Sequence, residues 1–318
     1  VTGATVPLEA IRDAARRLRG IATATPLVEV PSLSRRLGLP VRLKAEHLQP
    51  IGAFKIRGAY NAIARLEPAE RARGVVTHSS GNHGQAVAYA ARQLGVRAVV
   101  VMPAGAARVK VEGVRRYGGE VVFVPVPAER EAKAAALAEA EGLVPIPPYE
   151  NPDVIAGQAT CGLEILDAWP QVGTILVPVG GGGLIGGIAR AVALLRPEVQ
   201  VIGVEPTGAA KLSAALAAGQ PVRLKETASL ADGLLPLSVG QLPFAHLRGV
   251  VREAVTVTDE ELAGAVRFLH EEAGLRVEPS GAATTAALLA GRVRPTSPTV
   301  AVVSGGNVDS GLFESLVR

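Results

Sequence analysis

Gly180-Gly181-Gly182-Gly183 follows the apolar run Thr174 to Val179 and opens a helical pattern that starts at Leu184. Four glycines leave backbone N–H groups uncovered at a helix N-terminus, where the dipole and the free donors favour a phosphate. A tight turn that needs small residues for packing would use the same glycines, but their place where strand becomes helix favours an anion site. Gly181-x-Gly183-x-x-Gly186 also fits a dinucleotide fingerprint. Glu205, 19 residues after Gly186 at the end of the next apolar run, stands where an acid would meet a ribose 2′-hydroxyl. An NAD-dependent dehydrogenase is therefore one reading of this loop, whereas the missing lysine counts against an ordinary P-loop NTPase.

Ser79-Ser80-Gly81-Asn82-His83-Gly84-Gln85 stands at a second strand-to-helix junction. Hydroxyls, an amide and free N–H groups at such a place suit a carboxylate. A helix cap would explain one serine and the glycines but not the whole cluster. Lys55 lies within Ala53-Phe54-Lys55-Ile56-Arg57-Gly58-Ala59. Apolar neighbours can draw such a lysine into a low-dielectric pocket, where it loses its proton easily, as a Schiff-base amine must. Taken singly, Lys55 reads as a snorkelling surface lysine, His83 as a structural histidine and Ser304-Gly305-Gly306-Asn307 as a turn. No His, Cys or acid set has metal-ligand spacing, and neither a G-x-S-x-G elbow nor H-E-x-x-H occurs, so a hydrolase triad or zinc enzyme has no motif.

The elements that must hold these residues follow from periodicity. Leu8, Ile11, Ala15 and Leu18 behind Pro7 predict an amphipathic helix, with Asp13 and Arg17 paired on its polar side. From residue 75, valine-rich runs at 75–77, 98–102, 120–126 and 143–146 alternate with helical stretches at 85–94, 107–117 and 129–141. The same grammar returns at 174–179, a helix to Leu195, and 199–204. Such alternation predicts βαβ units and parallel sheets. Thr258 with Glu261 forms a capping box for a helix that Gly274 stops, and Thr299 to Val303 is a last buried strand.

With 318 residues, 48% of them hydrophobic, the chain can bury a large core, in two α/β units with a cleft between them. A net charge of +4 with dispersed basic residues speaks against nucleic-acid binding. Residues 168–189 carry no charge, but Pro170, Pro178 and seven glycines exclude a transmembrane helix. Cys161 is the sole cysteine, and Glu9, Arg12 and Asp13 stand where a signal peptide would be apolar; the expected location is a reducing cytoplasm.

Together the pieces resemble one family, the pyridoxal-phosphate enzymes of the tryptophan-synthase-β-like fold (fold type II), nearest to serine/threonine dehydratases and serine racemases. The resemblance covers nearly the whole chain. It rests on four signatures in order: Phe54 to Ala59, Ser79 to Gln85, Gly180 to Gly183 and Ser304 to Asn307. The variant S-S-G-N-H-G is similar to the hydroxyamino-acid branch, whereas cysteine synthases usually read T-S-G-N-T-G.

The resemblance implies an α/β fold of two domains, each a mostly parallel twisted sheet flanked by helices. Residues 1–47 and 145–318 would form the large cofactor-binding domain and 48–144 a small mobile one. It makes Lys55 the Schiff-base lysine, with Phe54 beside it. Asn82 would bond the cofactor's 3′-oxygen, Gly180, Gly181, Gly182 and Gly183 would hold its phosphate, Ser304 would face the pyridine nitrogen and Glu278 would lie beside the ring. Ser79, Ser80 and His83 would hold the substrate carboxylate, and Ser80 would also exchange a proton on the face opposite Lys55. No metal is expected: where serine racemases place a divalent-metal site, Glu205-Pro206-Thr207-Gly208-Ala209-Ala210-Lys211 ends in lysine.

Tyr149 occupies a position that is asparagine in racemases and aromatic in threonine dehydratases. The expected activity is thus an L-threonine/L-serine dehydratase (ammonia-lyase) with pyridoxal 5′-phosphate as cofactor and a small amino acid as substrate, in a homodimer or homotetramer. A serine racemase or bifunctional enzyme is the alternative, and a non-catalytic amino-acid-binding protein is opposed by an intact Lys55. The chain ends at Arg318, soon after the last signature, so isoleucine feedback through a further C-terminal domain is not expected.

Overall fold

The computed structural model describes residues 5–79, 81–106 and 108–318. Within them lie strands β1 (Leu27–Glu29), β2 (Val41–Ala45), β3 (Val75–His78), β4 (Ala98–Pro103), β5 (Glu120–Val124), β6 (Val144–Pro145), β7 (Thr174–Pro178), β8 (Gln200–Pro206), β9 (Val251–Val257) and β10 (Thr299–Val303). A six-stranded sheet runs β1-β2-β10-β7-β8-β9 and a four-stranded one β5-β4-β3-β6. Every pairing is parallel except β1 with β2. All five residues of β7 and of β10 are buried, as continuous apolar strands covered by helices on both faces must be. The two parallel sheets flanked by helices are the architecture expected. The smaller sheet draws its strands from residues 75 to 145.

The local signals mostly do what their chemistry requires. Thr258 and Glu261 close a reciprocal capping box on the helix Asp259–Ala273, and Gly274 stops it at φ +64°. In the first helix, Leu8–Arg17, the buried face carries Ile11 and Ala14 rather than Ala15. Arg16, not Arg17, pairs with Asp13 and Glu9, which frees Arg17 to reach Asn61 Oδ1 at 3.1 Å. The uncharged stretch 168–189 is no span: it holds the end of one helix, β7, the glycine loop and the start of the helix Gly183–Leu195. Among the described residues no helix is long and apolar enough to cross a membrane.

Three features place the helix Lys55–Ala64. An isolated bridge joins Ala53 to Gly305, and the Phe54 N–H donates to Ser304 O at 3.1 Å, so the start of this helix is pinned to the loop after β10. The helix Pro152–Ala168 comes so close that a Cβ on Gly157 would stand 2.4 Å from Arg57 O. Arg57 itself is 1% exposed. Its guanidinium donates to both carboxylate oxygens of Glu46 (2.7 and 2.8 Å), to those of Glu164 (2.6 and 2.7 Å) and to Thr160 Oγ1 (3.0 Å). Paired on two sides in this bidentate way, the buried cation ties its helix both to Glu46 and to the helix Pro152–Ala168.

Candidate active site

A cleft of about 510 Å³ lies at the C-terminal ends of β3 and β7, and all four sequence signatures line it. Such crevices are where open parallel sheets bind ligands. Lys55, first residue of its helix, sends Nζ to Pro148 O at 3.1 Å and over the Phe54 ring, 5.0 Å from the centroid. Among the described residues no carboxylate pairs with it. Loss of water therefore dominates, and burial pulls the amine down to about 8.

The glycine loop lies between β7 and the helix Gly183–Leu195. Gly182, at φ +92°, adopts the left-handed turn a side chain would resist. Among the described residues the N–H groups of Gly181 to Leu184 meet no acceptor, so four donors gather at the positive end of a 13-residue helix. The packing role is also present. A Cβ on Gly181 would fall 2.1 Å from the Tyr149 ring, and one on Gly183 3.0 Å from Tyr149 Cβ. The same glycines therefore offer donors and accept the tyrosine.

The second junction places Asn82 at the start of the helix Asn82–Leu94. Its Nδ2 donates to Glu278 Oε1 at 2.7 Å, while its Oδ1 accepts from Asn307 Nδ2 at 2.9 Å. Asn307 also donates to Ile51 O at 2.8 Å, which sets the amide orientation of the pair. Glu278, 3% exposed, is pushed up to about 7 by burial and by the nearby Asp232 carboxylate, against the pull of Lys110 and the Asn82 bond. Ser304 is buried beside them, since a Cβ on the next residue, Gly305, would stand 2.4 Å from Glu278 Oε1; its Oγ reaches Ser280 O only at 3.4 Å, a loose bond that leaves the hydroxyl free to turn. Ser79 Oγ accepts the Gly81 N–H at 3.2 Å. Ser80 lies outside the described residues.

Two expectations change. His83 lines the cleft, but its Nε2 donates to Ile146 O at 2.9 Å, and burial, helped by Lys55, lowers its pKa to about 3. A neutral ring with its one N–H committed has no donor left for a carboxylate, so the carboxylate role expected for His83 does not fit this ring. The dinucleotide reading loses its acid. Glu205 is fully buried, and its oxygens accept from Leu212 N, Ser213 N and Ser213 Oγ, each at 2.8 Å. It caps the helix Lys211–Ala218 instead of facing a ribose.

The sequence reading missed the ion pair of Lys110 with Asp232, which joins the helix Arg108–Arg116, beside the smaller sheet, to the turn Asp232–Leu234 beside the larger one. Nothing local signals it, since the two lie 122 residues apart. Asn307 reads in the sequence only as part of a turn. Its side chain's reach to Asn82 could have been suspected from its place in the last signature.

These features suit the pyridoxal phosphate the signatures imply. Four free N–H donors at a helix terminus can take a phosphate, an unpaired lysine of lowered basicity can take an aldehyde, and the walls between them are lined by Asn82, Glu278 and Ser304.

Comparison with known proteins agrees. The chain is 40% identical over 316 residues (98% of this chain, 95% of the relative) to a putative threonine dehydratase of Sinorhizobium fredii. Among solved structures, a threonine deaminase from T.th. superposes with a TM-score of 0.90 at 42% identity, covering 95% of this chain and 98% of that one. Maize serine racemase superposes with a TM-score of 0.94 at 37% identity, covering 98% and 97%. The family described as pyridoxal-phosphate dependent enzyme matches residues 18–305, and with the geometry above this establishes that the chain belongs to the pyridoxal-phosphate dependent enzymes.

Proposed function

We propose that the protein is an L-threonine/L-serine ammonia-lyase that releases ammonia and 2-oxobutyrate or pyruvate. The observation that carries this reading is the meeting, in one cleft, of the unpaired Lys55 amine with the uncapped glycine loop. Bound, the cofactor supplies an aldehyde for the substrate amine and a ring that accepts the electrons left when the Cα proton departs. The N–H groups of the glycine loop would hold its phosphate. Asn82 has a second Nδ2 proton to offer a ring oxygen, because only one is used on Glu278. Ser304, a neutral hydroxyl, would face the ring nitrogen without forcing it to be protonated, which suits elimination.

Lys55 would take and hold the Cα proton, a task its lowered basicity supports at neutral pH. Ser79 and the N–H groups at the start of the helix Asn82–Leu94 would bind the substrate carboxylate, with no call on the His83 ring. Named relatives favour the dehydratase: L-threonine ammonia-lyase of Thermotoga maritima is 40% identical over 98% of this chain and 78% of the relative. Racemisation is the second reading, favoured by the fit to maize serine racemase; it requires Ser80 to serve the face opposite Lys55. We further assign residues 48–144 to a mobile small domain and a homodimer or homotetramer as the assembly, both carried by the resemblance, and the cytoplasm as the location, which the single cysteine favours.

The test is direct. Purified enzyme with pyridoxal phosphate should convert L-threonine to 2-oxobutyrate in the presence of a metal chelator, and Lys55→Ala should abolish turnover while leaving the circular dichroism unchanged. D-serine as the main product from L-serine would replace this reading with the racemase.

A further inference from the structure

On the helix Arg108–Arg116, Arg108 and Val109 are exposed, whereas Lys110 and Val111 lie on the buried face. Lys110 is only 9% exposed, and a lysine that far from water needs a partner. Its partner is Asp232, whose side chain is more than half exposed on the turn Asp232–Leu234. An ammonium has three protons to donate, and among the described residues Asp232 is the one acceptor that Lys110 Nζ has. Two protons therefore remain for the cleft, which Lys110 lines together with Asn82, Asp232 and Glu278.

The ammonium stands at the junction suited to a carboxylate. Gly81 precedes the helix Asn82–Leu94, and a Cβ built on it would meet Lys110 Nζ at 3.8 Å and, beyond its chain neighbours, no other atom within 4 Å. Arg130, Arg223 and His78 also line the cleft, but none of their atoms comes so near this place. A carboxylate taken up by the first N–H groups of that helix would thus lie within reach of Nζ. The His83 ring has no donor for it, so a positive charge has to come from elsewhere. Release costs Asp232 little, because water can take the place of the ammonium at so exposed a carboxylate. We propose that Lys110 is a substrate-binding residue, held by Asp232 until the α-carboxylate of an amino acid seats at Gly81 and then turned to that carboxylate. The cleft thereby selects molecules with a free α-carboxylate over their amides.

The assignment rests on the amino-acid chemistry proposed above, but its test needs no turnover. L-alanine has no β leaving group, so absorbance titration of the holoenzyme at one fixed pH gives its dissociation constant and that of L-alaninamide. Wild type should prefer L-alanine. Lys110→Gln, neutral yet still able to bond Asp232, should weaken L-alanine at least about tenfold, as when a bond to a charged group is lost, and leave L-alaninamide nearly unchanged. Lys110→Met should do the same. Asp232→Asn should bind L-alanine at least as tightly as wild type, because the competing carboxylate is gone. A wall that merely loosened would weaken both ligands alike. Equal weakening of the two, a wild type without preference, Asp232→Asn as impaired as the neutral lysine variants, or neutral variants that no longer hold the cofactor would overturn the proposal. A protein that shows the expected pattern with L-alanine yet does not act on L-threonine would defeat the ammonia-lyase reading alone and leave Lys110 assigned.

Discussion

Capture of pyridoxal phosphate by the cofactor-free protein should follow the ionisation of Lys55, because only the unprotonated amine attacks an aldehyde. The structure gives Nζ a carbonyl neighbour and an aromatic face but no carboxylate among the described residues, so the loss of water pulls it from 10.5 to about 8. The unprotonated fraction is then about 9% at pH 7, about 50% at pH 8 and about 91% at pH 9. The capture rate should rise about tenfold between pH 7 and pH 9 and then level off; an ordinary lysine would gain about a hundredfold over that interval and keep climbing. Stopped-flow absorbance of the bound cofactor measures the rate, and borohydride reduction followed by peptide mapping checks that the label sits on Lys55. A rate still climbing in proportion to hydroxide above pH 9, or a label on another lysine, would refute both the desolvation argument and the assignment.

Three further outcomes follow. The raised pKa of Glu278 means that the folded chain keeps a proton the unfolded chain releases between pH 4.5 and about 7. Stability is therefore lost as pH rises through that window, by up to roughly 3 kcal/mol. Glu278→Gln should melt like wild type near pH 4.5 and progressively above it toward pH 8, and parallel pH profiles would contradict this. Gly181→Ala should drive a Cβ into the Tyr149 ring. At about 1 to 3 kcal/mol for such overpacking, cofactor affinity by fluorescence titration should fall roughly 5- to 150-fold, and an unchanged affinity would show that the loop yields freely. Arg57→Met leaves Glu46 buried and unpaired, so urea unfolding should show a loss of about 3 to 5 kcal/mol; a loss below about 1 kcal/mol would mean that water reaches the pair.

What could be read from the sequence was local. Lys55, Asn82 and Gly180 to Gly183 each sit at a junction where strand or loop becomes helix, and a run of neighbouring residues announces each junction. The helix Pro152–Ala168 escaped because eleven of its residues are buried, so it shows no polar face and no period; only Asn151, whose side chain caps Asp153 and Val154, and Pro152 announce it. Strand β9 escaped because Arg252 and Glu253, both exposed, interrupt the apolar run. At the site, side-chain direction was the missing quantity. Glu205 stands at the strand end the fingerprint requires, but its carboxylate turns to the helix beyond. His83 lies in the right cluster, but its donor is taken by Ile146, a partner 63 residues away. Tyr149 was noted for its type, and nothing in its neighbourhood foretold that its ring would pack on Gly181.

The larger sheet has its last-made strand near its middle. β10 lies between β2 and β7, pairing with both, so residues 41–45 and 174–178 meet only through residues 299–303. During synthesis the smaller sheet, whose strands all lie before residue 146, can close while the larger one is still two separate parts. Until the ribosome has released residues near 305, β2 and β7 both present an unpaired parallel edge, the kind of surface on which nascent chains associate wrongly. The same residues complete the site, since Ser304 receives the Phe54 N–H and Asn307 orients Asn82. A nascent chain of this protein therefore cannot bind its cofactor productively until residues 299–307 have been made, and its vulnerable interval lasts from the synthesis of β7 to that of β10.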